Sequence, residues 1–203
     1  MEIKHYTEPF PYVRIFDFYN EDDLKLIWKE LDFIVNNDVL VGPEHIGSAH
    51  NVNGEKKDYK RKGRGVWIQN IYKDLNTSYI HKLNKKLFSR EMMASIRKNG
   101  SWFYRNFGFK TYCTLLSYYE NADYYASHVD NSYSTALTWF YKEPKKFEGG
   151  NIMFSDYNIE IEIKNNSILL FPSVISHSVL EIKMEEQYMG ENNGRICITN
   201  FIK

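Results

Sequence analysis

The chain has 203 residues, enough for one domain with a well-buried core. Its 26 basic and 26 acidic residues give a formal net charge of zero, so no overall field attracts nucleic acid or an acidic membrane surface. No apolar run approaches the length of a membrane span and the N-terminus has no signal-peptide pattern, so we expect a cytoplasmic protein without membrane partners.

The first hundred residues are predicted to contain a strand, helices and a long loop. Residues 10–18 indicate a strand, and Asn20 is a candidate N-cap for the helix that follows it. Residues 66–72 indicate a strand or the start of a helix, and residues 76–98 indicate a second helical region. The apolar face of the first helix recurs at helical spacing and consists of Leu24, Ile27, Trp28, Leu31 and Ile34.

Residues 36–65 are rich in glycine, asparagine and charge and show no sustained period, which predicts a long loop or an irregular hairpin. The segment contains a local cluster of basic residues. Two interpretations remain open: a flexible, solvated tip, or a lid that contacts a substrate. The basic cluster consists of Lys56, Lys57, Lys60, Arg61, Lys62 and Arg64.

From residue 101 onward the pattern changes to short strands separated by turns. Helices followed by such strands indicate an α+β protein with a sheet sandwich or barrel. Cys113 and Cys197 lie in apolar runs and are expected to be buried free thiols in a reducing compartment. The predicted strands are 102–107, 111–119, 124–130, 135–141, 150–154, 158–163, 167–171, 175–182 and 195–202.

A metal site is indicated by the tripeptide His128-Val129-Asp130. Side chains two apart on a strand point to the same face, so the imidazole and the carboxylate can reach one common point. Such a pair is two-thirds of a facial triad. The one histidine after His128 is His177, in a strand that can fold beside the first. These ligands suit Fe(II), Mn(II) or Zn(II), so spacing alone leaves the metal open.

The last predicted strand contains an arginine that needs an anionic partner. Arg195, Cys197, Thr199 and Phe201 share one face of this nearly apolar strand. A buried guanidinium is costly unless it is paired, and no acidic residue in the strand can pair with it. A bound carboxylate would satisfy it, with a hydrogen bond from Thr199. The alternative is a surface arginine at the edge of a sheet.

Four motifs occur in the order found in the 2-oxoglutarate/iron(II) dioxygenases. They are HVD at 128–130, FEGGNIMF at 147–154, ILLFPSVISHSV at 168–179 and GRICITNF at 194–201. The sequence most resembles the prolyl 4-hydroxylase-like branch over residues 112–202, with a weaker similarity in the N-terminal segment FPYVRIFDFYNEDD.

The resemblance implies a double-stranded β-helix, or jelly-roll, core over about residues 101–203 of a single domain, residues 1–203. Residues 1–100 would supply the helical buttress and the lid. By the same resemblance, His128, Asp130 and His177 would bind iron(II). Ascorbate is a candidate reductant.

The resemblance also implies a set of residues that bind 2-oxoglutarate. Arg195 would hold its distal carboxylate with support from Thr199, and Tyr118, ten residues before His128, matches a family tyrosine that contacts the co-substrate. A second such tyrosine would correspond to Tyr141 or Phe140. The connection from His177 to Arg195 is longer than in the family pattern. The alignment of the residues next to this connection with the family pattern is therefore undetermined.

The function implied by the resemblance is hydroxylation of a C–H bond, of a peptidyl side chain with proline as the first candidate. A free amino acid or small metabolite is the runner-up. A non-catalytic jelly-roll that only holds a metal would need no buried Arg195. A zinc hydrolase lacks a general base at recognisable spacing. Nucleic acid is disfavoured because basic residues are concentrated only in residues 56–64.

Overall fold

The computed structural model describes residues 1–53 and 56–203. The helices are α1 (Glu21–Asn36), α2 (Ile68–Ile71), α3 (Tyr79–Asn84), α4 (Arg90–Arg97) and α5 (Trp102–Arg105). The strands are β1 (Glu2–Tyr6), β2 (Tyr12–Phe16), β3 (His50–Asn53), β4 (Lys56–Tyr59), β5 (Arg64–Trp67), β6 (Tyr112–Tyr119), β7 (Tyr125–His128), β8 (Ser134–Phe140), β9 (Phe147–Gly149), β10 (Ile152–Phe154), β11 (Ile159–Ile161), β12 (Ser167–Pro172), β13 (His177–Val179), β14 (Ile182–Met184) and β15 (Arg195–Ile202).

Two antiparallel sheets form the body of the fold. The larger has the strand order β1-β2-β12-β8-β15-β6-β5, and the smaller has the order β11-β10-β13-β7. Strands distant in sequence become neighbours, since β15 pairs with both β6 and β8. Short pairs, β14 with β9 and β3 with β4, complete the topology of the described residues. The predicted α+β class with a jelly-roll core is confirmed.

The central strands of the larger sheet are buried on both faces. One face packs against the helices through a cluster that includes Ile27 of α1, Ile96 of α4 and Ile198 of β15. The other face packs against the smaller sheet through a cluster that includes Trp139 and Phe154. A strand buried on both sides is continuously apolar, which is why β8 and β15 carry so few charged residues.

Helix α1 forms as its sequence predicts. The Asn20 side chain accepts a hydrogen bond from the backbone N–H of Asp23 (2.9 Å), and the Asp23 carboxylate accepts one from the N–H of Asn20 (3.3 Å). This reciprocal capping box satisfies donors that a helix start leaves free. Ile27, Leu31 and Ile34 are fully buried, so the predicted apolar face packs on the sheet.

A buried carboxylate joins α1 to the start of α3. Glu30 is 5% exposed; its Oε1 accepts from the hydroxyl of Ser78 (2.7 Å) and its Oε2 from the backbone N–H of Ile80 (2.8 Å). We expect Glu30→Ala to lower the free energy of unfolding by about 1–3 kcal/mol, because both donors lose their partner in the interior. Chemical denaturation measures this. The exposed neighbour Lys29 gives the control, and Lys29→Ala should change stability by less than about 0.5 kcal/mol.

Two strand predictions are wrong. Residues 102–107 include helix α5, whose N-cap Ser101 accepts a hydrogen bond from the N–H of Tyr104 (3.3 Å). One helical turn is too short to show a helical period, so its aromatic residues imitate a strand. The predicted strand 175–182 is divided between β13 and the start of β14.

Most of the predicted loop 36–65 has regular structure. Strands β3 and β4 pair as a hairpin, which agrees with the hairpin alternative, and its tip, Gly54 and Glu55, lies outside the described residues. Residues 60–62 then run beside β7. The N–H of Ala126 donates to the carbonyl of Lys60 (2.8 Å), and the N–H of Lys62 donates to the carbonyl of Tyr124 (2.9 Å). This part of the segment is held against the smaller sheet.

Cys113 and Cys197 are both free, as predicted; Cys197 is buried, whereas Cys113 is only half-buried. Within the described residues, no helix combines the length and apolar character needed to cross a membrane.

Candidate metal centre

Three side chains from the smaller sheet converge at one end of the space between the sheets. His128 ends β7 and lies opposite His177 at the start of β13, while Asp130 follows β7. The Nε2 atoms of His128 and His177 lie 3.6 Å from Oδ1 and Oδ2 of Asp130, respectively. The potential ligand atoms all lie within 4.8 Å of one another. The structure therefore brings together the three residues predicted as ligands.

Both histidine rings are oriented by the backbone. The Nδ1 of His128 bonds to the carbonyl of Ala126 (2.9 Å), and the Nδ1 of His177 bonds to the carbonyl of Ile175 (3.0 Å). A carbonyl oxygen can only accept, so Nδ1 carries the proton in each ring. The lone pair then lies on Nε2, the atom that faces the common point, which is the tautomer a metal ligand needs.

Asp130 is fixed by a network of hydroxyl groups. The hydroxyl of Thr135 donates to Oδ2 of Asp130 (2.5 Å) and also contacts the hydroxyl of Ser173 (2.8 Å). Ser173 in turn contacts Ser132 (2.6 Å), and its carbonyl accepts from the N–H of Asp130 (3.1 Å). The sequence gives no signal for this network, because its members come from β8 and from the turn after β12.

Burial sets the protonation states of the cluster. Burial, with smaller contributions from the neighbouring His177 and from the cationic side chains of Arg61 and Lys60, lowers the pKa of His128 to about 3. His128 is therefore neutral at physiological pH and able to donate its lone pair. Burial also raises the pKa of Asp130, whereas His177 and the hydrogen bond from Thr135 lower it and offset part of this effect. A bound divalent cation would favour the charged carboxylate.

A cavity of about 370 Å³ leads from this cluster to Arg195 on β15. Arg195 is 1% exposed, and Nε, Nη1 and Nη2 have no hydrogen-bond partner among the described residues. Gly150 leaves room for it, since a Cβ there would lie 2.8 Å from Cδ of Arg195. Thr199 and Cys197 also line the cavity, so the predicted alternation along β15 is confirmed. The arginine is buried, not at a surface edge.

Tyr119, not Tyr118, stands in the cavity. Alternate side chains of β6 face opposite sides, and Tyr118 packs in the helix-side core with its hydroxyl donating to Oε1 of Glu120 (2.7 Å) and accepting from the N–H of Gly194 (3.2 Å). The guanidinium of Arg195 lies 5.1 Å from the Tyr119 ring centroid. The structure thus places Tyr119, and not the predicted Tyr118, in the cavity, because neighbouring residues on a strand face opposite sides.

On β8 the cavity is lined by Leu137, whereas Phe140 and Tyr141 lie elsewhere. Phe140 belongs to the helix-side core, and Tyr141 packs edge-on against Phe147 between the sheets. The hydroxyl of Tyr141 accepts from the N–H of Asn165 (3.0 Å). Neither residue takes the position that the resemblance suggested.

Two cavity residues were not identified as site residues from the sequence. The ring of Tyr125 stacks on that of His128, with centroids 3.6 Å apart, and its hydroxyl accepts from the N–H of Ala49 (2.9 Å). Arg61 had been noted only as one of a basic cluster, yet it is 4% exposed and lines the cavity. Strict alternation along β7 would place Tyr125 and His128 on opposite faces. The pairing of β7 with β13 is irregular, so that alternation does not predict the position of Tyr125.

Sequence comparison finds similarity to a known family in the part of the chain that contains this site. Residues 113–203 match the model of the 2OG-Fe(II) oxygenase superfamily. A PKHD-type hydroxylase of Prochlorococcus marinus (strain NATL1A) is 32% identical over 73 residues, which are 32% of this chain and 33% of that protein. The match thus spans about a third of the length of this curated relative.

Structure comparison covers nearly the whole chain. A Pseudomonas putida prolyl-4-hydroxylase aligns with a TM-score of 0.62 and 15% identity over 95% of this chain and 91% of that one. A prolyl hydroxylase of Trichoplax adhaerens, solved with a peptide fragment of the hypoxia inducible factor oxygen degradation domain, aligns with a TM-score of 0.59 and 14% identity over 94% and 82%. At these identities the likeness establishes the fold.

The cofactors implied by this family fit the residues present. Two neutral imidazoles and one carboxylate form a donor set suited to iron(II) that leaves further coordination positions open. The buried Arg195, whose guanidinium nitrogens have no partner within the described part of the chain, suits a carboxylate of 2-oxoglutarate. Residues 113–203, which supply the cluster and Arg195, are similar to the 2OG-Fe(II) oxygenase superfamily, and the fold and the donor set agree with that similarity.

Proposed function

We propose that this protein is a hydroxylase that couples oxidation of 2-oxoglutarate to insertion of oxygen into a C–H bond. His128, Asp130 and His177 would hold iron(II), and Arg195 would bind the distal carboxylate of 2-oxoglutarate with support from Thr199. The observation that carries the proposal is one cavity lined both by the three candidate ligands and by a buried guanidinium that has no hydrogen-bond partner among the described residues.

When bound, iron(II) and 2-oxoglutarate would supply the oxidising chemistry. In that reaction O₂, 2-oxoglutarate and the C–H bond of the substrate give succinate, carbon dioxide and a hydroxylated product. The residues of the chain itself would position the metal and shield the reacting groups. The backbone carbonyls of Ala126 and Ile175 keep both Nε2 atoms aimed at the metal position. Apolar side chains of β6 and β8, Leu115 and Leu137, line the cavity and would limit the contact of the reacting groups with bulk water.

Anaerobic titration tests the proposal directly. Iron(II) and 2-oxoglutarate added together should produce a visible charge-transfer band that neither produces alone. A jelly-roll that only holds a metal would bind iron(II) without the band, and this outcome would refute the proposed function.

For the substrate, we propose a peptidyl side chain, with proline as the first candidate. The structural relatives named as prolyl hydroxylases support this, and the cavity is lined by Arg61 and Ala49 as well as by the three candidate ligands. Succinate release over a panel of proline peptides and free amino acids tests it. Stimulation by amino acids alone would favour the runner-up, a small-molecule hydroxylase.

The hydroxyl that holds Asp130 gives a specific prediction for metal binding. Thr135→Val keeps the shape of the side chain but removes the hydrogen bond to Oδ2. We expect iron(II) affinity to fall about 10- to 100-fold, as for other partners of metal ligands. Equilibrium titration with iron(II) under anaerobic conditions measures this. Thr138→Val, on the helix-facing side of the same strand, is the matched control and should leave the affinity unchanged.

A further inference from the structure

Arg61 is a second buried cation in the same cavity. Its guanidinium lies 4.9 Å from the ring centroid of Tyr119 and 5.7 Å from that of Tyr125. Because the Tyr125 ring also stacks on His128, Arg61 is one aromatic ring away from the metal ligands. It therefore faces the region where a substrate would present the carbon to be oxidised.

Among the described residues, the one side-chain hydrogen bond of Arg61 goes to a backbone carbonyl. Nη2 donates to the carbonyl of Arg64 (2.7 Å), and Nε has no partner among the described residues. No carboxylate of the described residues makes an ion pair with it. The nearby Asp123 uses its Oδ2 to accept from the N–H of Glu120 (2.9 Å). Burial of a guanidinium without an anionic partner costs free energy unless a bound anionic ligand pairs with it.

The co-substrate does not remove this charge. Asp130 is the one acidic residue among the described residues that line the cavity. With iron(II) and 2-oxoglutarate in place, Asp130 and the 2-oxoglutarate dianion together carry three negative charges. Iron(II), Arg195 and Arg61 together carry four positive charges. Lys203 also lines the cavity, but it is exposed and solvated. One positive charge, close to the metal ligands, is left for the substrate to balance.

We propose that the prime substrate carries a carboxylate near the oxidised carbon, and that Arg61 binds it. This inference rests on the proposed function and narrows its substrate class. A guanidinium forms paired, charge-assisted hydrogen bonds with a carboxylate, which a neutral proline in mid-chain cannot supply. A free amino acid, the C-terminal residue of a peptide and an acidic side chain beside the target all present this chemistry.

Paired acids and amides test the proposal on protein loaded with manganese(II) and 2-oxoglutarate, which binds without turnover. The probes are L-proline against L-prolinamide, a tripeptide ending in proline as the free acid against its amide, and an internal proline flanked by glutamate against one flanked by glutamine. We expect the wild-type protein to bind at least one acid about 10- to 100-fold more tightly than its neutral partner. The pair that shows this preference identifies the source of the carboxylate.

Arg61→Gln should reduce that preference to less than about threefold while leaving the dissociation constant of 2-oxoglutarate unchanged. Lys62→Gln removes the same charge from the neighbouring exposed position and should keep the full preference. The inference is overturned if wild type binds no acid of the panel or binds the amides equally well. It is also overturned if Arg61→Gln weakens 2-oxoglutarate and leaves the preference intact. Failure of wild type to bind 2-oxoglutarate would instead overturn the proposed function.

Discussion

Replacement of Asp130 by alanine is expected to reduce succinate formation from 2-oxoglutarate to the background of the uncatalysed reaction. The carboxylate is the sole anionic member of the ligand cluster, and its two oxygens each lie 3.6 Å from an imidazole Nε2. Without it, two neutral imidazoles remain, a set that holds a hard divalent cation poorly. His128→Ala should have the same effect, because it leaves one imidazole and one carboxylate.

Succinate is measured after incubation with iron(II), 2-oxoglutarate and ascorbate, beside iron(II) binding under anaerobic conditions. The matched control is Asp156→Ala, which removes an exposed carboxylate from the turn after β10 and should retain wild-type turnover. Near-normal succinate formation by Asp130→Ala or His128→Ala would contradict the assignment of the metal centre.

Arg195→Met is expected to change two properties in opposite directions. Loss of the guanidinium should weaken 2-oxoglutarate binding by about 2–5 kcal/mol, because the distal carboxylate would lose a buried charged partner. The ligand-free protein should be as stable as wild type or more stable, by up to about 4 kcal/mol, since an apolar side chain of similar length replaces a buried charge. A residue that served only to stabilise the fold would show the reverse.

Anaerobic titration of 2-oxoglutarate and thermal unfolding of the ligand-free protein measure the two effects on the same sample. Arg105→Met replaces an exposed arginine on α5 and should leave both unchanged. A large loss of stability in Arg195→Met, with 2-oxoglutarate affinity retained, would show that the guanidinium has a structural role.

Part of the candidate metal cluster follows from a local rule of strand geometry. Side chains two apart share a face, so His128 and Asp130 were paired at once, and the one later histidine completed the set. The same rule separated the two faces of β15, where Arg195 and Thr199 line the cavity and Ile198 packs toward the helices. Period-two alternation holds wherever a strand is regular.

Residues whose position depends on long-range pairing could not be predicted. Tyr118 and Tyr119 are adjacent in sequence, and only the register of β6 against β15 decides which one enters the cavity. Arg61 reaches the site because residues 60–62 pair with β7, more than sixty residues later in the chain. No local pattern encodes such a contact, so Arg61 was indistinguishable from its exposed neighbours.

The contact between residues 60–62 and β7 also bears on self-association. β7 is the last strand of the smaller sheet, and such a strand exposes backbone donors and acceptors on which another chain can add. The backbone of Lys60 and Lys62 forms hydrogen bonds with these donors and acceptors of the edge strand. The side chains of both lysines then lie along that edge. We expect that shortening this segment to widen the cavity would uncover the strand that ends in the candidate ligand His128, so that aggregation would accompany any change in substrate range.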